Sequence, residues 1–114
     1  MESILTSTKK LLGIDESDTT FDVDIIFHIN SVFMTLNQLG VGPSKGFSIE
    51  DDTAVWTDFV DPSANLEAVK SYVHHKVRIM FDPPDRASIL QAMNETIEEL
   101  EWRLNVGAES NHSE

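Results

Sequence analysis

Apolar residues recur along this chain at the three-and-four spacing of helices that bury one face. The first such pattern, Ile4, Leu5, Thr8, Leu11 and Leu12, is closed by Gly13, a residue suited to a helix C-terminus. A polar run from Asp15 to Thr20, rich in cap-forming side chains, sets the start of a second helix near Thr20 to Asp22. That helix runs to about Leu39 on the stripe Ile25, Ile26, Ile29, Val32, Phe33 and Leu36, and Gly40 ends it. A third begins around Ser63 to Leu66, carries Leu66, Val69, Val73, Val77 and Met80, and is stopped by Asp82-Pro83-Pro84. Pro84 suits the first turn of a fourth helix on Leu90, Met93, Ile97, Leu100 and Leu104, which is expected to end near Val106. The polar residues 107–114 read as a flexible tail, and residues 1–106 as one helical domain.

Between the second and third helices, Gly40 to Asp61 is too long for a simple helix connection. Phe47-Ser48-Ile49 and Ala54-Val55-Trp56 flank the turn-like Glu50-Asp51-Asp52-Thr53, a pattern that predicts a small β-hairpin. The fold class is therefore all-α: four helices with one elaborated loop, which is a candidate for function.

The helices also carry second apolar faces. At about 100° per residue, Val23, Phe27 and Met34 lie opposite the stripe centred on Ile29. Trp102 lies opposite Met93 with Val106 on the same outer side, and Tyr72 and Ile79 form a weaker secondary face on the third helix. A domain this small does not easily bury both sides of several helices. Either the long loop folds over these residues, or they meet another copy or a partner. Trp102 is the foremost candidate for such a contact.

Composition narrows the function. The chain has 114 residues, enough for one modest core, and a hydrophobic fraction of 40%, that of a globule and not of a disordered acidic tail. It holds no cysteine, no apolar run of membrane-spanning length and no signal-peptide pattern at Met1-Glu2-Ser3-Ile4-Leu5, so a soluble protein made and kept in a cytoplasm, without membrane contact, is expected. Twenty acidic against eight basic residues give a formal charge of -12, the wrong sign for gripping a phosphate backbone.

No catalytic constellation emerges. His74 and His75 are adjacent, about 100° apart on a helix, and do not converge on one metal. The acidic run from Asp15 to Asp24 resembles a calcium loop, but Thr20 stands where the turn needs Gly and Ile26 where the bidentate Glu belongs. Glu50-Asp51-Asp52 reads as a solvated turn. In Gly40-Val41-Gly42-Pro43-Ser44-Lys45-Gly46 the lysine precedes the last glycine, unlike a phosphate loop. No cofactor, metal or enzyme activity is expected.

Three stretches carry a family resemblance: Phe21 through Phe33, Gly46-Phe47-Ser48-Ile49, and Leu66 through Val73. Phe81-Asp82-Pro83-Pro84 and Glu98 through Asn105 extend it, so that it covers about Leu5 to Val106. In their order, and in the helix–helix–long loop–helix–helix plan, they resemble the small head–tail connector, or adaptor, proteins of long-tailed bacteriophages and prophages. The resemblance implies a structural virion protein whose copies form a ring, twelvefold like the portal, at the head–tail interface. Its partners would be itself, the portal protein and the next connector or tail component, with DNA passing through the channel unbound. The family brings no catalytic residues. Acidic side chains lining such a channel would repel phosphate, and the outer faces could supply the two different patches that a ring interface needs. Candidate subunit, portal or tail contacts are Val23, Phe27, Met34, Phe47, Ile49, Trp56, Tyr72, Ile79, Trp102 and Val106. The rival from another class is an acidic DNA mimic that inhibits a nucleic-acid enzyme. Its carboxylates should line one face, whereas here they are spread over caps, loops and helix ends.

Overall fold

The computed structural model describes residues 2–61 and 65–112, with side chains placed to residue 108. Its helices are α1 (Ile4–Leu11), α2 (Asp22–Gln38), α3 (Trp56–Phe59), α4 (Leu66–Phe81) and α5 (Ala87–His112). The four long ones are those the apolar spacing predicts, and α3 is a single turn inside the long loop.

Local chemistry sets most boundaries. Ser3 caps α1, its Oγ accepting from the Thr6 amide at 3.0 Å, and Gly13 follows the helix with φ +77°. Lys9, in the last turn of α1, is almost wholly buried and pairs with Asp22, in the first turn of α2, at 2.8 Å. Each charge thus sits at the helix end whose dipole favours it. The Lys9 ammonium also donates to the carbonyls of Glu16 (3.1 Å) and Asp18 (2.6 Å), so one cation gathers the whole acidic α1–α2 turn. Asp15 and Asp18 bend this turn further by accepting from the amides of Ser17 and Thr20.

α4 packs against both α2 and α5, and α1 lies on α2. The core runs from Ile25, Ile29, Val32, Phe33 and Leu36 of α2 to Val69, Tyr72, Val73 and Val77 of α4, with Ile97 and Leu104 of α5 closing the far side. The molecule is a slab of 44 × 35 × 20 Å. With helices about 10 Å across, it is some two layers thick.

Four expectations are corrected. The hairpin does not form: residues 40–61 contain no strand, and Val55 instead makes an isolated antiparallel bridge with Ser3, beside which the Ile4 amide donates to the Ala54 carbonyl at 2.9 Å. The loop finds its backbone partner at the chain's N-terminal end because Trp56 is drawn into the core there. α5 begins at Ala87, not Pro84, its first turn closing on the Arg86 carbonyl. It also continues past Val106 to His112, since Gly107 does not break it and Ala108 is buried. The α1 and α4 stripes run out at their C-terminal ends, where Leu11 and Met80 are exposed. The Ser63 end of the range set for the third helix, and the last two residues of the expected tail, lie outside the described residues.

Candidate assembly site

The loop that replaces the hairpin is held by specific bonds. Asn30 grips the backbone of Ile49 from both sides, accepting from its amide at 2.8 Å and donating to its carbonyl at 3.0 Å. Trp56 Nε1 donates to Ser7 Oγ at 2.9 Å, and Asp58 accepts from the Val55 amide at 2.9 Å, fixing the α3 turn. Phe33, Phe47 and Phe59 meet as an aromatic trio with centroids 4.5 to 5.3 Å apart. Gly42 lies against it with φ +88°, and a Cβ there would stand 2.4 Å from the Phe59 ring. A side chain is therefore excluded at Gly42 by both conformation and space.

These contacts decide which candidate residues remain available. Ile49, Trp56 and Tyr72 are core residues, and Phe47 and Ile79 are half-buried against the core. Ile49 and Trp56 are buried because the loop folds down onto α1 and α2. Tyr72 is buried because α5 covers it, its hydroxyl donating to Glu101 at 2.7 Å. Burial and that carboxylate, in this order, raise its pKa. The remaining five are exposed: Val23 (81%), Phe27 (67%) and Met34 (68%) on α2, and Trp102 (67%) and Val106 on α5. Exposed Phe21 extends the α2 face, meeting Phe81 edge-on at 5.5 Å.

Because α4 packs between α2 and α5, the two apolar faces stand on different parts of the slab. The α5 face is edged by carboxylates: Glu95, Glu98 and Glu99 are exposed on it, Glu99 paired with Arg103 at 2.7 Å.

A third feature, unmarked by the sequence pattern, is a cleft of about 120 Å³ lined by Leu11, Leu12, His74, His75, Arg78 and Met93. Leu11 stands 58% exposed at its side. His74 packs edge-on to Trp56 with centroids 5.6 Å apart, and its Nε2 has no hydrogen-bond partner. Burial, then the nearby charges of Lys70 and His75, lower its pKa to about 4. Sequence reasoning passed over this cleft because its walls come from three helices and no single stripe marks it.

Among the described residues no group of three or more His, Cys, Asp or Glu side chains is placed to hold a metal, and no helix is long and apolar enough to cross a membrane. What the surface does offer is uncovered apolar area on opposed helices, with carboxylates at its edges. Such a fold belongs to the class of small all-α proteins, with apolar surface left available for contact. The family model for phage connector proteins matches residues 4–111, and the chain belongs to that family. It is thus a structural connector of a bacteriophage, working against other virion components. Searches of the curated proteins and of the solved structures gave no match.

Proposed function

We propose that copies of this chain close into a ring between portal and tail and so extend the channel through which DNA is packaged and ejected. The observation that carries this reading is the pair of exposed apolar faces, Val23-Phe27-Met34 on α2 and Trp102-Val106 on α5, on helices that α4 holds apart. A ring subunit has to meet its neighbours through two different patches and also dock on portal or tail, and uncovered apolar surface on separate parts of the subunit is what such contacts cover. Portal and tail component then take whatever apolar surface the ring leaves uncovered.

The charge is consistent with a conduit. A net charge of -12 opposes adhesion to DNA, and part of this excess, for which exposed Glu50, Asp51 and Asp52 are candidates, faces the lumen. A ring whose lumen is neutral or basic would overturn that assignment.

Light scattering on the purified chain, alone and mixed with portal rings, tests the function directly. A large closed oligomer, or co-migration with the portal, is the expected result. A monomer that ignores the portal would overturn the reading and favour a DNA mimic acting on a nucleic-acid enzyme.

A further inference from the structure

Met93 and Trp102 face opposite ways. They are nine residues apart on α5, and at about 100° per residue that separation amounts to a half turn about the helix axis. Met93 faces inward and lines the cleft beside Leu11, His74 and Arg78. Trp102 stands out from the other side, with Glu98 one turn before it and Val106 one turn after, both exposed. One subunit thus carries a concave apolar feature and a convex one on opposite sides of a single helix.

Their edges are of opposite charge. Between Leu66 and Phe81, α4 holds Lys70, Lys76 and Arg78 against one carboxylate, Glu67, in a chain that is otherwise strongly acidic. Arg78 Nε donates to the Asp82 carbonyl at 2.6 Å, and its ion pair with the Asp82 carboxylate is long, 3.9 Å. The terminal guanidinium nitrogens have no hydrogen bond among the described residues, so the cleft keeps a cation to offer at its rim. On the Trp102 side, Glu99 is held by Arg103, whereas exposed Glu98 has no ion pair among the described residues.

Resting on the ring reading above, we propose that Trp102 of one copy docks into the Leu11–His74–Met93 cleft of the next, with Glu98 set against Arg78. The pairing gives a use to two otherwise costly exposures, an indole and the Leu11 side chain, which cover each other. It is head-to-tail, because socket and knob lie on opposite sides, and a head-to-tail contact either closes into a ring or runs on as a filament. It also leaves the α2 face of Val23, Phe27 and Met34 uncovered, free for the portal or tail component.

Sedimentation of wild type, Trp102→Ala, Arg78→Glu and the double variant Arg78→Glu/Glu98→Arg, each alone and with portal rings, tests the pairing. Circular dichroism of each variant checks that the fold is kept. Trp102→Ala and Arg78→Glu are expected to associate at least about thirtyfold more weakly than wild type, the first by losing an interface anchor and the second by setting a new carboxylate against Glu98. The double variant, with the charges exchanged, is expected to recover. Mixing Trp102→Ala, which keeps its cleft, with Arg78→Glu, which keeps its knob, is expected to give a one-to-one complex that grows no further. If both single variants assemble like wild type, the pairing is wrong and the ring reading stands. If Trp102→Ala still forms rings but loses the portal, the indole serves the portal and the pairing is overturned. If wild type is monomeric even with the portal, ring and pairing fall together.

Discussion

Lys9 and His74 show how single residues at the α1 end of the molecule set its stability. The Lys9 ammonium is almost wholly buried and holds the Asp22 carboxylate and two carbonyls. Lys9→Met keeps much of the stem but leaves those three acceptors without their cation. It should destabilise the fold by about 3 kcal/mol, measured by urea denaturation. Wild-type stability after this change would show that water substitutes fully for the ammonium. His74 acts through pH. Its folded pKa of about 4 lies below the ordinary value of 6.5, so between these limits the unfolded chain binds the extra proton. Its contribution is therefore intact above pH 6.5 and is lost as the pH falls toward 4. His74→Phe removes the proton site while keeping an aromatic ring beside Trp56. The melting temperature of this variant should fall less steeply than that of wild type over that window. Equal slopes would mean that other groups cause the acid loss.

At the scale of elements, the two tryptophans separate folding from the proposed assembly. Trp56 anchors α3 and the long loop on α1 and is wholly enclosed, whereas Trp102 touches the solvent. Trp56→Ala should cost about 3–5 kcal/mol through the cavity it opens, and Trp102→Ala under about 0.5 kcal/mol in thermal or chemical denaturation of the free subunit. The reverse order would mean that the loop docks weakly and that α5 depends on its outer face. The sequence made the long helices and their outer faces legible, since periodicity records which side of a helix is apolar. Val23, Phe27, Met34 and Trp102 are exposed as their angles on the helix require. It could not show where Trp56 or Ile49 would go. A loop residue has no period, and the burial of these two depends on Ser7 and Asn30, which lie 49 and 19 positions away in the chain. The α1–α4–α5 cleft was hidden for the same reason, as was Lys9, whose partners declare themselves only when the acidic turn closes round it.

At the scale of the whole molecule, apolar attraction between copies in the proposed ring has to compete with their charge. Two neighbours each bearing a net charge of -12, with centres about 35 Å apart as the slab's middle dimension suggests, repel across solvent. Treated as point charges in water, they repel by ~5 kcal/mol at 0.01 M salt, where the Debye length is about 30 Å, and by ~0.2 kcal/mol at 0.15 M, where it is about 8 Å. A rim ion pair such as Arg78–Glu98 responds in the opposite sense, since salt weakens attraction too, but an exposed pair is worth only about 0–1 kcal/mol. The apolar contact proposed under Trp102 would respond little to salt over this range. The repulsion is the largest of the salt-dependent effects, so a ring held by apolar anchors should loosen as salt is removed. The concentration for half-assembly, followed by sedimentation, should rise at least tenfold between 0.15 M and 0.01 M. A ring that tightens in dilute salt would mean that opposite charges meet across the interface far more extensively than one arginine and one glutamate, and that the charged edges, not the indole, hold the copies together.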